Sequence, residues 1–425
     1  MGTLVMRVFV HDYAGHPFQV HLSRHLAARG HEVTHAYFAE DPGPKGMLHC
    51  QQSDPSTLEF APITIGRRYD KSLLLARRFN DMEYGRRAAR IIRDLKPDVV
   101  ISGNTPTEAQ AAIVAECKAV PSGFVYWLQD FYSIAVSMLL RKRLGNAGRI
   151  IGLYYRWLER SQLRNSDAVV IISEDFRALA SVWAGSDAKV RTITNWAALE
   201  DIPVRTKENN WSREHALHGD FTFVYSGTLA LKHNPDLLVR LAQNCGPRTL
   251  VVVVAQGAGM KHLEDAKAKH RLDSLRLLPL QPIARFPEVL ATGDVLVAVI
   301  EADAGTYSVP SKVQSYLCAG RSILLAAPGE NLAARVVARE NAGIVVAPDG
   351  SDFMAAAMRL RHDNELRAQQ GANGRAYAEK AFDMIKIVDA FEETLCAVIP
   401  SKSSNSVGPA SANGIYGLQY KRAGH

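Results

Sequence analysis

Apolar residues in the first half of the chain form short runs that alternate with stretches of helical spacing. The stretches with apolar positions every three or four residues predict helices at 18–29, 73–96 and 107–118, with a less regular segment at 49–72. The short runs predict strands at 4–10, 32–38, 98–102, 123–128 and 167–173. Strands and helices in this alternation predict a parallel sheet with helices on both faces.

The same alternation starts again after a polar stretch at 199–218, which we interpret as a linker. It divides the chain into a first domain at 1–198 and a second domain at 219–382. The tail at 401–425 is rich in Ser, Gly, Asn and Ala and is expected to be disordered. Strands of the second domain are predicted at 221–226, 249–255, 275–278, 295–300 and 343–346 and from Ile323, and helices at 235–243, 260–270, 286–291, 333–340 and 352–361.

Four loops follow predicted strands of the first domain, at 11–17, 103–106, 129–132 and 174–175. Ligands of doubly wound sheets bind outside the carboxyl ends of the strands, so these loops are the expected binding surface. The first loop lacks the Gly-x-Gly-x-x-Gly fingerprint, which argues against a nicotinamide or flavin dinucleotide.

One stretch of the second half, 308–320, has the features of an anion site. It predicts a turn and a short helix, with Pro310 in the first turn and a stop at Gly320. The free N–H groups and positive dipole at a helix start attract anions, and Lys312 lies in that first turn. We therefore expect a phosphate site, with an ordinary capped helix as the alternative.

The composition, 47% hydrophobic and 22% charged over 425 residues, is typical of a soluble globular protein. No run of about 18 apolar residues predicts a membrane span. Five widely spaced cysteines without a Cys-x-x-Cys pair argue against a disulfide framework or a zinc site. The amino terminus enters a strand pattern without a secretory leader, so we expect a cytoplasmic protein.

The net charge of +7 is unevenly distributed, with a basic segment at 133–164 in which Glu159 is the single acidic residue. Aromatic and aliphatic residues alternate with these charges at helical spacing. Such a segment suits peripheral attachment to a membrane with anionic lipids, here the inner face; a solvated face of a core helix is the alternative. Nucleic acid is not expected as a partner, because no recognised binding module accompanies the charge. The basic residues are Arg141, Lys142, Arg143, Arg149, Arg156, Arg160 and Arg164.

Four motifs of the second half, taken in order, resemble a known family. They are 226–235, which begins Ser-Gly-Thr; Gln-Gly-Ala-Gly at 256–259; Gly-Asp and a strand from 293; and Val-Pro-Ser-Lys at 309–312 ahead of Tyr-Leu-Cys-Ala-Gly. Their order and spacing resemble a GT-B glycosyltransferase of family 4, and most closely the subgroup that builds colanic-acid and O-antigen sugars. The first half matches in outline, notably at 26–34, so the resemblance covers 5–398.

The resemblance implies an α/β fold of two Rossmann-like, doubly wound domains facing each other across a cleft, with a helix at 383–398 crossing back to the first domain. It implies retaining transfer of a sugar from a nucleoside-diphosphate sugar, by preference a UDP-sugar, to a hydroxyl acceptor. The acceptor is expected to be a lipid-linked or surface-polysaccharide precursor bound by the first domain. No metal and no cofactor are expected, because fixed cations and N–H dipoles can stabilise the leaving diphosphate.

The resemblance also assigns the donor site. Lys232 would clamp the diphosphate and take part in catalysis, and Ser311 and Lys312 would hold the distal phosphate and the sugar. A surface loop lysine and an ordinary helix start are the alternatives. Gly15 would let the first domain's backbone approach the diphosphate, unless it is a plain turn glycine. Backbone near Gln281 would contact the base. The other donor-binding residues are Gly227, Thr228, Val309, Pro310 and Ser315.

Two positions depart from the family pattern. Many members carry an arginine where Thr228 stands, and a pair of glutamates where Tyr307 and Ser315 stand. The second glutamate usually holds the ribose, so either Glu301 or Asp303 replaces it or the site is degenerate.

In the first domain, Asp130 follows a strand and is predicted to face the sugar's reacting carbon or to accept the acceptor's proton; capping the next helix is the alternative. His16 and Asn104 are predicted acceptor contacts. His21 and His25, at helical spacing, are predicted to be structural.

Two other functions remain open at this stage. A nucleotide-sugar 2-epimerase of the same architecture would release nucleoside diphosphate without an acceptor. A catalytically silent binding protein of this fold is favoured by Thr228, Tyr307 and Ser315. The sequence identifies neither the base, nor the sugar, nor the acceptor.

Overall fold

A computed structural model describes residues 4–41, 45–66, 74–300 and 311–400 of the chain. The predicted residues Glu301, Asp303, Tyr307, Val309 and Pro310, and the predicted disordered tail at 401–425, lie outside these ranges.

The first domain is built on a seven-stranded parallel sheet in the order β3-β2-β1-β4-β5-β6-β7. Its central strands are buried on both faces, as their continuous apolar sequences require. The strands are β1 Arg7–Asp12, β2 Glu32–Phe38, β3 Leu58–Ile63, β4 Val99–Gly103, β5 Gly123–Leu128, β6 Ala168–Ile171 and β7 Val190–Thr192. The helices are α1 Pro17–Ala28, α2 Leu74–Leu95, α3 Thr107–Ala119, α4 Tyr132–Arg164 and α5 Arg177–Ala184.

The second domain has a six-stranded sheet in the order β10-β9-β8-β11-β12-β13, again parallel throughout. Its strands are β8 Phe221–Thr228, β9 Thr249–Gln256, β10 Leu275–Leu278, β11 Val295–Val299, β12 Ser322–Ala326 and β13 Gly343–Val346. The helices that follow α5 are α6 Asn210–Glu214, α7 Asp236–Asn244, α8 Ala258–His270, α9 Phe286–Thr292, α10 Ser311–Cys318, α11 Leu332–Arg339, α12 Phe353–His362, α13 Asn364–Ala381 and α14 Met384–Ala397.

The strand order reverses beside β1 in the first sheet and beside β8 in the second. Crevices form at such points, because successive connections leave on opposite sides of the sheet. The loops that follow β1, β4 and β5 therefore surround one crevice, and the loop that follows β8 adjoins the other. This topology places the sequence-predicted loops where ligands bind.

Several elements were not predicted, among them the helix α5 and the short strand β7, which follow the last predicted strand of the first domain. The strand β3 lies in the segment interpreted as irregular, and the helix α13 lies between predicted helices. The segment interpreted as a linker also contains the short helix α6, whose Trp211 is fully buried and donates to Gln281 Oε1 (3.2 Å). Part of that segment is thus packed onto the second domain.

Helix α14 returns to the first domain, as the resemblance predicted. Arg29 on α1 forms ion pairs with Asp389 (2.6 Å) and Glu392 (2.5 Å) of α14. The ring of Phe391 packs against Trp127, with ring centroids 4.7 Å apart, and against Trp196 at 6.0 Å. The end of the chain therefore contributes to the first domain's core.

Candidate active site

A cavity of about 660 Å³ lies between the two domains. Ser311, Gln314 and Ser315 of α10 line it from the second domain, opposite polar residues of the first. Gln314 Nε2 also donates to the backbone oxygen of Asn195 (2.8 Å), which joins α10 to the first domain. The polar residues that line the cavity opposite α10 include His16, His21, Arg24, Asn104, Gln129, Asp130 and Asn195 of the first domain and Asp201 of the linker segment.

The loop after β1 is held by Asp12, a buried carboxylate that the sequence analysis did not single out. It accepts hydrogen bonds from the backbone N–H groups of Ala14 (3.1 Å) and His16. The side-chain amide of Gln19 also donates to Asp12 Oδ1 (2.7 Å) when its nitrogen, rather than its oxygen, faces the carboxylate. Burial raises the pKa of Asp12 to about 6, although the His16 charge and the loop's N–H groups oppose that shift. Asp12 thereby fixes the position of His16 at the cleft.

Asp130 lies at the end of β5, with its side chain exposed to the cleft. The surrounding protein still removes much of its water, which raises the pKa of its carboxyl group. Its neighbour Gln129 is fixed by a pair of amide hydrogen bonds with Asn195 (2.6 and 3.3 Å). Next to Asn195, the ring of Trp196 stacks on Trp127 of β5. A carboxylate with a raised pKa, placed at the end of a strand, suits a proton acceptor.

A second, smaller cavity of about 190 Å³ lies within the first domain. Four of its lining residues, His16, Asn104, Gln129 and Asp130, also line the large cleft. The two cavities therefore meet at Gln129 and at the three residues that the sequence predicted for the acceptor and for catalysis. The rest of the lining of the second cavity is rich in polar and tyrosine side chains: Tyr13, Ala14, Asp41, Arg77, Thr105, Pro106, Tyr126, Trp127 and Tyr132.

On the second domain, the structure brings Lys312 to the end of β8. Lys312 Nζ donates to the backbone oxygen of Thr228 (3.3 Å) and to the Tyr225 hydroxyl, and it lies 4.0 Å from the centre of the Tyr225 ring. Gly227, with φ +125°, adopts backbone geometry that favours glycine, and Lys312 covers it. Burial lowers the pKa of Lys312 to about 7. Within the described residues, no carboxylate forms an ion pair with it.

The remaining predicted donor residues lie in different settings. Gly15 has φ +75° and accepts a hydrogen bond from Gly46 N–H (2.8 Å), but it does not line either cavity. Gln281 does not line the cleft either, and its side chain binds Trp211. The backbone at Lys232 follows β8 in a short 3-10 turn, Leu231–His233, while its side chain lies outside the described structure.

His21 and His25 lie side by side on α1, with their Nε2 atoms 3.1 Å apart and Glu200 nearby. Trp196 Nε1 donates to His21 Nδ1 (3.3 Å), so the proton of neutral His21 is on Nε2 and points to His25. A ring that accepts on one nitrogen and donates from the other has no lone pair left for a metal ion. The pair is thus a hydrogen-bonded link between α1 and Trp196.

Comparisons with known proteins agree with this architecture. Residues 16–196 match the family model of the glycosyl transferase 4-like domain. HepE of Anabaena, solved in complex with UDP, superposes with a TM-score of 0.65 at 15% identity, over 92% of this chain and 100% of that chain. The fold is that of a GT-B glycosyltransferase.

Two other structures with the GT-B fold show the same extent of similarity. Sucrose-phosphate synthase of Thermosynechococcus elongatus gives a TM-score of 0.70 at 15% identity, covering 91% of this chain and 97% of that chain. WaaG, a glycosyltransferase involved in lipopolysaccharide biosynthesis, gives a TM-score of 0.65 at 15% identity, covering 93% of this chain and 100% of that chain. A search of curated proteins gives no match. The family model thus covers the first domain, and the solved structures show the fold of both domains.

No helix in the described part of the chain is both long and apolar enough to cross a bilayer.

Proposed function

We propose that this protein is a retaining glycosyltransferase that moves a hexosyl group from a nucleoside-diphosphate sugar to an acceptor hydroxyl without a metal ion. The observation that carries the proposal is the cleft itself. Asp130 and His16 of the first domain face the start of α10 across it, and Lys312 in the first turn of α10 contacts the end of β8. The arrangement pairs a proton acceptor with an anion site.

The donor's diphosphate would lie between the start of α10 and Gly227-Thr228. Lys312 and Lys232 would neutralise it, assisted by the free N–H groups at the helix start. HepE was solved with UDP and with UDP-glucose, and a trehalose-6-phosphate protein of this fold was solved with UDP-2-fluoro glucose. These donors make UDP the first base to test.

The acceptor's hydroxyl would lie on the first-domain side of the cleft, beside Asn104. As its oxygen bonds to the sugar's anomeric carbon, the bond from that carbon to the diphosphate oxygen breaks. Asp130 would take the acceptor's proton, and the cations would stabilise the leaving diphosphate. Retention of configuration and the colanic-acid or O-antigen type of product follow from the sequence resemblance and are part of this proposal.

The first experiment is calorimetric titration with UDP, GDP, ADP, CDP and dTDP, in EDTA and then in Mg²⁺. One base should bind, with equal affinity in both buffers. Lys312→Ala and Lys232→Ala should each weaken binding by about 1.5–3 kcal/mol, the range for charge-assisted hydrogen bonds. The matched control is Lys269→Ala on α8, which should change nothing.

The outcome also separates the other functions. Release of nucleoside diphosphate and an epimerised sugar with no acceptor present would identify an epimerase. Absence of binding to all five nucleotides would contradict an enzyme and favour a silent binding protein. If one donor binds, NMR of the anomeric proton in the transfer product will test retention.

A further inference from the structure

Helix α4 is a helical hairpin. The backbone at Gly145, with φ 56° and ψ −126°, is not helical and reverses the chain between two arms. The arms pack at very short range, because a Cβ at Gly148 would lie 2.0 Å from the backbone oxygen of Leu140, and a Cβ at Gly152 would lie 2.8 Å from Ser137 Oγ. The hairpin is therefore a compact unit.

The base of the hairpin is anchored to the first domain. Glu159 of the second arm accepts hydrogen bonds from the backbone N–H (3.1 Å) and hydroxyl (2.5 Å) of Ser133, at the start of the first arm. Gln162 Nε2 donates to the backbone oxygen of Thr107 (2.6 Å) on α3. These contacts hold the hairpin in a fixed orientation relative to the cleft.

The outer surface of the hairpin is unusually apolar. Of the eighteen exposed large apolar side chains among the described residues, eight belong to α4. Ile150 is 70% exposed and Trp157 64% exposed. Such a concentration on one element marks an interaction surface rather than scattered surface residues. The eight are Met138, Leu139, Leu144, Ile150, Ile151, Leu153, Tyr154 and Trp157.

The surface of the hairpin is positively charged. Its seven basic residues include Arg141, Lys142 and Arg143 near the turn, all of which are exposed. Its single acid, Glu159, is buried, and burial raises the pKa of that carboxyl group to about 7. Exposed apolar and aromatic groups among basic ones match an interface of acyl chains and anionic headgroups.

The hairpin also continues into the cleft. Phe131, Ile134, Ala135 and Met138 line the large cavity. Their spacing of three and four residues places them on one side of the first arm. Met138 lines the cavity and is 60% exposed, so the apolar strip runs without interruption from the cleft to the outer surface.

We propose that the α4 hairpin docks the first domain on an anionic lipid bilayer, and that the strip from Met138 to Phe131 leads the lipid part of a membrane-bound acceptor into the cleft. The docking rests on the hairpin alone. The acceptor route rests on the glycosyl transfer proposed above and names its substrate class. A membrane-facing cleft gives the enzyme direct access to an acceptor held in the bilayer.

Flotation of the full chain with vesicles tests the docking. We expect about tenfold more protein on phosphatidylcholine vesicles with about 30% phosphatidylglycerol than on phosphatidylcholine alone, and less at high salt. Ile150→Ser with Trp157→Ser, and separately Arg141→Glu with Arg143→Glu, should each remove most of that binding. The matched controls are Ile385→Ser with Val182→Ser, which are 71% and 63% exposed, and Lys269→Glu with Arg276→Glu. Both controls should bind like the wild type.

Equal binding to both vesicle types, or binding that survives both hairpin variants, would overturn the proposal. So would a dimer in lipid-free solution that the Ile150 and Trp157 changes dissociate, if the wild type does not float, because a second copy would then cover the surface. Nucleotide affinity, measured on the same proteins in solution, should be unchanged. Docking and glycosyl transfer can therefore fail independently.

Discussion

At the start of α10, the Lys312 ammonium group lies against the Tyr225 ring, and burial lowers its pKa to about 7 from the usual 10.5. The unfolded chain therefore binds more protons here between about pH 7 and 10.5, so the contribution of Lys312 to stability rises with pH over that range. A diphosphate would reverse the shift, because its negative charge favours the protonated lysine. Lys312 therefore fits a site in which a bound anion stabilises the protonated form of the lysine.

The first prediction follows from that shift. At pH 8, binding of the preferred nucleoside diphosphate should take up a proton, and affinity should fall as pH rises above about 7, by up to about tenfold per unit. Calorimetry in two buffers of different ionisation enthalpy measures the uptake. Lys312→Met should abolish it, whereas Lys269→Met should not. Equal uptake in the Lys312 variant would assign the proton to another group.

Asp130 is the second residue whose environment bears on chemistry. Asp130→Asn keeps the shape but removes the proton acceptor, so turnover should fall by about 100-fold or more. Nucleotide affinity should stay within about threefold, because Asp130 belongs to the acceptor side of the cleft. Asp265→Asn, an exposed carboxylate on α8, is the matched control. A rate near that of the wild type would remove Asp130 from the mechanism.

Sequence reasoning reached only part of the residues around the cleft. The strand ends pointed to Asp130, His16 and Asn104, because loops after parallel strands can be recognised from alternation alone. The role of Asp12 was not visible, because the carboxylate acts through backbone N–H groups of its own loop. An aspartate two residues before a loop N–H is a common turn signal, and that signal was available.

At the scale of elements, two of the missed ones, β3 and α13, have identifiable causes. The strand β3 contains Pro62 and pairs only with β2 at the sheet edge, where its side chains are half exposed. Edge strands tolerate proline and lose clear alternation. The helix α13 contains Gly371 and Gly374, which suggest a loop. Gly371 is needed because a Cβ there would lie 2.4 Å from the backbone oxygen of Gly320.

The hairpin α4 gives the prediction at this scale. Gly148→Ala should destabilise it by about 1–3 kcal/mol, because the clash with the Leu140 backbone outweighs alanine's higher helix propensity of about 1 kcal/mol. Hydrogen exchange of α4 amides measures the loss locally, and thermal unfolding measures it globally. Gly219→Ala, where a Cβ would meet nothing within 4 Å, is the control. Unchanged protection of α4 would show that the arms do not pack as described.

At the scale of the molecule, specific polar contacts and one helix join the two domains. Gln314 binds the Asn195 backbone across the cleft, and Arg335 of α11 pairs with Asp175 in the loop after β6. Partial burial alone would raise the pKa of Asp175, but hydrogen bonds from Arg335 and Ser173 lower it. Helix α14 adds the third link by placing Phe391 in the first domain's aromatic core.

Phe391→Ala should therefore lower the free energy of unfolding by about 3–5 kcal/mol, the usual cost of removing a buried aromatic side chain. Denaturant titration measures this, with Ile385→Ala on the same helix as the control; its 71% exposure predicts a change below about 0.5 kcal/mol. A loss in the Phe391 variant no larger than in the control would mean that α14 does not stabilise the first domain.

The alternation of apolar runs was sufficient to predict two parallel α/β domains, because strand and helix periods differ and each leaves its own pattern in the chain. The alternation also located the loops at the strand ends. The distribution of Arg and Lys identified 133–164 as a basic segment. The tertiary structure decided which distant residues come into contact: Lys312 contacts Tyr225, 87 positions away. It also decided that the basic segment turns at Gly145 and exposes eight apolar side chains. Contacts between distant segments depend on packing and strand order, which local periodicity does not encode.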